Sequence, residues 1–264
     1  MIKKAYIFFI AIAFLLGCKP YSIKRTEKVN TSVSDTGSVD SSLVQIYKPY
    51  KISLDSSMNE VLNVSLVEMS TGSPEGKLGN FVSDLSLKIG NELYKEKTGN
   101  VADFVLLNNG GLRTFLPKGN ITRRKIYELM PFENELVVVT LSAEKANNLF
   151  EYIAKKTVDG GTRKQGVPVS GNIKVVLNGL SPKDIFINES PFLGKEYKVI
   201  TSDYLANGGD NMTFFLNPVK YEKIGIKLLL FFICVTLFSY FIIRKYIQKR
   251  IEILYRTIQN QKLD

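Results

Sequence analysis

Stretches with helical periodicity alternate with short β-branched runs through the middle of this chain. Apolar residues recur at three- and four-residue steps between 78 and 95, which predicts an amphipathic helix. Two more helices are predicted, at 123–130 and 142–152. Short apolar runs predict buried strands at 103–107, 136–141, 173–177 and 197–201. This mixture predicts one α+β domain, with mixed sheets and flanking helices, over about residues 43–222.

Two of the predicted strands run directly into an Asn-Gly-Gly turn. Residues 108–113 read Asn-Asn-Gly-Gly-Leu-Arg, and residues 204–210 read Tyr-Leu-Ala-Asn-Gly-Gly-Asp. The glycines allow left-handed backbone and a close approach of main-chain N–H groups to a ligand, while an arginine can bind an anion in a fork geometry. Each turn alone is only a turn signal, and Phe132 and Tyr204 are by default core aromatics. The combination of two such turns, each with a charged partner, favours a ligand site.

Composition excludes several kinds of chemistry. The 264 residues contain no histidine and only two cysteines, Cys18 and Cys234, so they cannot assemble a Cys/His zinc site or a His-based catalytic triad. The net charge of +10 belongs to the ends: residues 1–28 carry six Lys or Arg and one acid, and residues 220–264 carry nine and three. The body between them is close to neutral, which argues against a nucleic-acid groove and for membrane contact at the ends.

The amino-terminal segment has the features of an export signal. Lys3 and Lys4 precede an apolar run too short to span a bilayer, and residues 15–18 read Leu-Leu-Gly-Cys. This ending resembles the lipobox of bacterial lipoproteins, so residues 1–18 are predicted to be a lipoprotein signal peptide, with Cys18 acylated after cleavage. An uncleaved anchor with an incidental cysteine is the alternative. The polar residues 19–42 are predicted to form a flexible tether.

The carboxy-terminal segment contains a second apolar run. Residues 228–243 carry no charge, and with their flanks they predict a transmembrane helix at 226–244, followed by a basic tail at 245–264. Positive residues after the span would place the tail in the cytoplasm and the domain outside. A buried helix is the alternative. Together the two ends predict an exported, membrane-anchored lipoprotein that faces the periplasm or the cell surface.

Six segments, in order, resemble the C-terminal domain of the 5′-nucleotidases. They are Lys-Leu-Gly-Asn-Phe-Val-Ser-Asp at 77–84, the turn at 108–113, Gly-Asn-Ile-Thr at 119–122, Met-Pro-Phe-Glu-Asn-Glu-Leu at 130–136, Val-Ser-Gly at 169–171 and the turn at 204–210. The resemblance covers roughly residues 45–220. It implies a domain that binds a nucleotide or nucleoside.

The resemblance also implies roles for individual side chains. Asn108 and Arg113 would hold the ribose and phosphate side. Phe132 and Tyr204 would stack on the two faces of the base, and Asn134 would contact its edge. Asp210 would accept hydrogen bonds from the ribose. Near the binding residues, the chain departs from the family in two places: Tyr204 stands where phenylalanine is usual, and residues 73–77 lack the further arginine that often precedes the Leu-Gly-Asn segment.

In the family, a separate two-metal phosphatase domain performs hydrolysis, and the residues of this chain offer no comparable ligand set. The resemblance therefore implies that the chain binds no cofactor itself and is the substrate-specificity half of a 5′-nucleotidase-type phosphohydrolase. The metallophosphatase half, with its divalent metals, would be a separate subunit. A membrane-anchored binding module without catalysis is the alternative, and a structural lipoprotein with a decayed pocket is a third. The apolar run at 228–243 stands where the family has an amphipathic helix, so it is either a membrane span or the product of a reading-frame error.

Overall fold

The computed structural model describes residues 25–27, 39–157 and 166–227. The chain divides into two compact units, residues 1–48 and 49–264, and the boundary falls within helix α1 (Ser41–Met58), none of whose residues is buried. The first unit is described only at residues 25–27 and 39–48. There the Asp40 carboxylate accepts a hydrogen bond from the Ser42 amide at 2.9 Å and caps α1. Helix α1 thus begins within residues 19–42, which were predicted to form a tether, and most of that segment lies outside the described residues.

Most of the helices and strands in the described residues belong to the second unit. In the described residues, four further α-helices follow α1: α2 (Lys77–Thr98), α3 (Arg123–Leu129), α4 (Ala143–Thr157) and α5 (Asp203–Ala206). The strands are β1 (Val61–Ser65), β2 (Phe104–Val105), β3 (Gly119–Thr122), β4 (Glu135–Leu141), β5 (Ile173–Asn178), β6 (Ser181–Ile187), β7 (Ser190–Pro191), β8 (Tyr197–Ser202) and β9 (Lys220–Lys227). They form a two-stranded sheet β1-β3, a three-stranded sheet β5-β6-β7 and a central sheet in the order β2-β8-β4-β9. The predicted α+β class is confirmed.

Strands β2, β4 and β8 of the central sheet are buried on both faces, whereas most residues of the outer strand β9 are exposed or half-buried. Successive side chains of a strand point to opposite faces, and β4 shows this clearly: Leu136 and Val138 pack in one hydrophobic cluster with α2, whereas Val137 and Val139 pack in another with α4. All four side chains have no exposed surface. This burial explains why the sequence of β4 is apolar at almost every position rather than alternating. The predicted helix at 78–95 and the predicted strand at 136–141 are confirmed.

Strand β9 corrects the predicted carboxy-terminal boundaries. The domain was expected to end at 222 and a helix to begin at 226, but β9 continues to Lys227, which pairs with Glu135 of β4. Sequence analysis missed this strand because Lys227 next to an apolar run is typical of the residues that flank a transmembrane helix. In the fold, Lys223 and Lys227 instead form ion pairs with Glu135 and Glu133.

The other predictions for the two chain ends concern residues outside the described ranges. None of the helices in the described ranges is long and apolar enough to cross a membrane. The predicted signal with Cys18, residues 228–244 of the predicted span and the tail at 245–264 all lie outside those ranges.

Tyr94 ties α2 to β9. Its ring is 1% exposed, and its hydroxyl donates a hydrogen bond to the Glu222 carboxylate at 2.7 Å. Burial, with a smaller contribution from Glu222, raises the pKa of Tyr94 to about 12. Tyrosine in an unfolded chain ionises near pH ~10. The folded protein therefore keeps this proton after the unfolded chain has lost it.

This difference in pKa predicts alkaline destabilisation. The stability that the neutral hydroxyl supplies is fully present below the unfolded pKa and is lost as the pH rises through the folded pKa, so the free energy of unfolding should fall between about pH 10 and 12. Tyr94→Phe should lower this free energy by about 1–3 kcal/mol at pH ~8 and make the alkaline decline shallower. Urea unfolding of both proteins across this range measures the effect. An equally steep decline in the variant would contradict the assignment.

Candidate functional site

The topology of the central sheet brings three loops to one edge. Strands β2 and β8 run parallel, with Val105 opposite Ile200, so both end at the same edge. Strand β4 runs antiparallel to β8, with Leu136 opposite Ser202, so it begins there. The loop after β2, the loop before β4 and the loop after β8 therefore lie side by side. They carry the six predicted binding residues, namely Asn108, Arg113, Phe132, Asn134, Tyr204 and Asp210.

Hydrogen bonds with the segment at 168–170 hold the end of β2 and the start of the following loop in place. The Leu107 amide donates to the Pro168 carbonyl at 2.9 Å, and the buried Ser170 hydroxyl accepts from the Val105 amide at 2.9 Å. The loop itself is a short 3₁₀ turn, Asn109–Gly111, whose glycines do not have positive φ. Left-handed backbone was expected at these glycines. A Cβ on Gly111 would lie 3.0 Å from the Asn108 side-chain oxygen, so glycine here lets the Asn108 side chain lie close to the loop backbone.

The loop after β8 is locked to the loop before β4. The Ser202 hydroxyl caps α5 by accepting from the Leu205 amide at 3.3 Å. The Asp203 carboxylate accepts from the amides of Tyr204 at 2.8 Å and Glu135 at 3.1 Å. The predicted left-handed backbone does occur in this turn, with φ 86° at Gly208. One acidic side chain thus fixes the spacing between the segment that carries Phe132 and the segment that carries Tyr204.

Asp210 lies where the two Asn-Gly-Gly loops meet. Its carboxylate accepts hydrogen bonds from the Asn108 carboxamide at 2.6 Å and from the Tyr204 hydroxyl at 2.9 Å. Its carbonyl oxygen accepts a third, from the Tyr152 hydroxyl, at 2.9 Å. The backbone of Asp210 has φ 53°, in the left-handed region that few residues other than glycine adopt. These bonds fix the direction in which the carboxylate points.

Arg113 and Phe132 form a second group beside the first. The guanidinium carbon lies 5.9 Å from the centre of the Phe132 ring, and the guanidinium donates to the Gly110 carbonyl at 3.4 Å. Phe132 is 46% exposed, so part of its ring is accessible to a ligand. With Asn108 and Asn134 it lines a small hollow. Because Asn108 binds Asp210 and also lines the hollow, it connects the two groups. Tyr204 joins them through its hydrogen bond to Asp210 and does not line the hollow.

A polar cleft of about 610 Å³ opens beside Asp210. Asn108, Gly110 and Asp210 line it from the loops, and Tyr152 and Lys156 line it from α4. The Lys156 ammonium lies 5.4 Å from the centre of the Tyr152 ring. Burial, reinforced by the charge of Asp210, raises the pKa of Tyr152 to about 12, so its hydroxyl remains a neutral donor.

Sequence reasoning missed the two residues of α4. Its helical periodicity correctly placed Leu149, Phe150 and Ile153 in the core. In the sequence, Tyr152 is one more aromatic residue beside the apolar face of the helix. Lys156 is one of the basic residues that are common near helix ends. Only the packing of α4 against the loop at 209–211 distinguishes them.

The side chains at this sheet edge offer three kinds of contact to a ligand. An exposed aromatic face can stack on a planar ring, a guanidinium can bind an anion, and a fixed carboxylate can accept hydrogen bonds from neighbouring hydroxyls. Within the described ranges, no group of three or more carboxylate or cysteine side chains is placed to hold a metal ion.

The chain belongs to the 5′-nucleotidase, C-terminal domain family. Residues 60–217, more than half of the chain, match the sequence pattern of that family. Among curated proteins, it is similar to Protein UshA of Yersinia enterocolitica, with 26% identity over 65% of this chain and 32% of the relative. It is also similar to a 5′-nucleotidase of Vibrio vulnificus, with 27% identity over 65% of this chain and 30% of the relative. The chain thus spans about a third of the length of these relatives.

Solved structures show the same fold. A 5′-nucleotidase precursor from Thermus thermophilus superposes with a TM-score of 0.57 at 23% identity, over 75% of this chain and 39% of that one. The NAD nucleotidase of Haemophilus influenzae superposes with a TM-score of 0.54 at 21% identity, again over 75% of this chain and 39% of that one. The identification of the family from its six segments is therefore confirmed.

Proposed function

We propose that this domain binds a nucleotide or nucleoside as the substrate-specificity half of a 5′-nucleotidase-type phosphohydrolase that acts in nucleotide catabolism. The observation that carries the proposal is the convergence of Asn108, Phe132 and Asp210 at one sheet edge in a chain of this family. Separate loops supply the three side chains, and each offers the chemistry that one part of a nucleoside requires.

Each part of the ligand has a matching group. The accessible part of the Phe132 ring stacks on the base, which contributes about 1–3 kcal/mol, and Asn134 in the same hollow contacts the edge of the base. The Asp210 carboxylate accepts from the ribose hydroxyls, helped by Asn108. Arg113, beside Phe132, provides the positive charge for the phosphate side. Tyr204 faces the base from the other loop.

The hydrolytic half is proposed to be a metallophosphatase on a separate chain. Phosphoryl transfer by a two-metal centre needs several ligands that hold two cations about 3.5–4 Å apart. These 264 residues contain no histidine, and the described ones contain no cluster suited to a metal. The divalent metals would therefore be bound by the partner. The same observations also fit a binding module that has no catalytic partner, which is the second candidate.

Export and anchoring complete the proposal. The lipobox-like residues 15–18 would place an acylated Cys18 on a membrane, and the apolar residues 228–243 would supply a second attachment. The domain would then act on nucleotides in the periplasm or at the cell surface. Replacing Cys18 with alanine should abolish labelling of the protein with radioactive palmitate. Labelling that persists would contradict the lipoprotein assignment.

Calorimetric titration of the full chain with adenosine and AMP tests the binding function directly, in mild detergent because both ends carry apolar runs. The wild-type protein should bind both ligands. Asp210→Asn keeps the shape of the side chain but removes its charge, so it should weaken binding of both by about tenfold or more, the usual contribution of hydrogen bonds to a charged acceptor. Asp184→Asn, at an exposed position of β6, is the matched control and should have no effect.

The outcomes separate the candidates. Failure of the wild-type protein to bind either ligand would contradict the proposed function. Hydrolysis of AMP by the purified chain alone, supplied with Mg²⁺ or Mn²⁺, would contradict the assignment of catalysis to a separate chain. Binding without any gain in hydrolysis when metallophosphatases from the same cell are added would favour the module without catalysis.

A further inference from the structure

Helix α1 carries an apolar stripe on one side. The residues of this α1 stripe recur at steps of three and four, so they share one side of the helix; they are Leu43, Ile46, Tyr47, Tyr50 and Leu54. Each of them is at least 50% exposed. Most other positions of α1 are serine, lysine or another polar residue. The helix is therefore amphipathic, with its apolar side in contact with solvent.

The packing of α1 does not account for its stability. Burial of an apolar face supplies most of the stability of a helix in a protein, yet no residue of α1 is buried. Pro49 lies inside the helix, where it lacks the N–H group for an intrahelical hydrogen bond. A surface that covers the α1 stripe would supply the missing stabilisation.

The charges of α1 suit an anionic surface. Between Asp40 and Asp55 the sequence has no acidic residue, whereas it has Lys48 and Lys51. The Asp55 carboxylate forms an ion pair with the Arg124 guanidinium at 2.6 Å, so its charge is compensated. Lysines on the polar side of an amphipathic helix, with aromatic residues on the apolar side, are typical of helices that lie in the headgroup region of a bilayer.

The position of α1 in the chain favours a membrane over a protein partner. Residues 19–40 separate α1 from Cys18, the predicted acylation site. A flexible chain of that length has an average end-to-end distance of about 25 Å. An acyl anchor at Cys18 would therefore hold a bilayer close to the α1 stripe, at a high effective concentration.

We infer that α1 binds the membrane surface through its stripe, with the helix parallel to the bilayer and the stripe facing the acyl chains. The inference rests on the proposed membrane anchoring and adds a contact between the folded part of the chain and the lipid. Because two lysines lie near the middle of this 18-residue helix, it lies on a bilayer rather than crossing it.

A single tryptophan reports on the contact, because the chain contains no tryptophan of its own. Tyr50→Trp places the reporter on the α1 stripe, at a residue that is 77% exposed. The full-length variant is reconstituted into vesicles of phosphatidylglycerol and phosphatidylethanolamine. Its fluorescence should be quenched by lipids brominated on their acyl chains and protected from the soluble quencher acrylamide.

Ile52→Trp is the matched control. Ile52 is 61% exposed and lies about 200° around the helix from Tyr50. Its tryptophan should emit at longer wavelength than that of Tyr50→Trp, remain accessible to acrylamide and be unaffected by brominated lipids. Equal responses of the two variants would overturn the inference. A Tyr50→Trp reporter that is protected from acrylamide but not quenched by brominated lipids would also overturn it, since a protein surface such as a second copy would then cover the stripe.

Flotation of the vesicles separates failure of the anchoring from failure of the α1 contact. Protein that does not float with the vesicles contradicts the proposed anchoring and the α1 contact together. Protein that floats with both reporters accessible to acrylamide contradicts the α1 contact alone. Neither outcome changes the proposed nucleoside binding, which calorimetry measures independently.

Discussion

Replacing Phe132 with alanine is expected to weaken binding of adenosine by about 5- to 150-fold, since the stacking of a base on an aromatic ring contributes about 1–3 kcal/mol. The variant also removes the surface that the Arg113 guanidinium covers, 5.9 Å from the ring centre. Because the side chain is 46% exposed, its loss should leave the free energy of unfolding nearly unchanged. Calorimetry and urea unfolding of the same samples measure the two effects.

Phe115→Ala provides a closely matched control. Phe115 is 43% exposed and also lies beneath a cation, with the Lys125 ammonium 4.8 Å from the ring centre. It lines neither the cleft beside Asp210 nor the hollow that contains Phe132. Its removal should leave adenosine binding unchanged. Equal effects of the two substitutions would show that Phe132 acts through general surface properties, which would contradict its role in stacking.

Phe104→Ala is expected to have the largest effect on stability. Phe104 is completely buried in β2, and its ring centre lies 5.9 Å from that of Phe150 and 6.1 Å from that of Tyr197. Truncation leaves a cavity between β2 and α4, so the free energy of unfolding should fall by about 3–5 kcal/mol. Urea unfolding monitored by circular dichroism measures this loss.

Phe186→Ala is the control for that experiment. Phe186 lies half-buried on β6, under the Lys174 ammonium and away from the central sheet. Its removal should cost about 1 kcal/mol. A similar loss in the two variants would contradict the assignment of the core to the packing of α4 on β2.

Sequence patterns predicted an element correctly where the pattern within that element determines its structure. The apolar spacing of residues 78–95 predicted α2 because its burial is set by one face of one helix, and the valine-rich run at 136–141 predicted β4. Strand β9 and the extension of the domain to Lys227 were missed because their stability comes from partners distant in sequence, including Glu133, Glu135 and Tyr94. Neither charge nor hydropathy within residues 220–227 reveals those partners.

The sequence by itself determined the family, the α+β class and the six candidate binding residues. Each of these inferences uses short segments whose residue types can be interpreted without knowing the rest of the fold. Only the tertiary structure decided how those residues meet. Strand β2 pairs with β8 in parallel and β4 pairs with β8 in antiparallel orientation, so three loops lie side by side. This arrangement brings Asn108 within hydrogen-bond distance of Asp210. Only the structure showed that the Tyr204 hydroxyl donates to Asp210. The distance between two side chains depends on the path of the backbone between them, which the residue types do not specify.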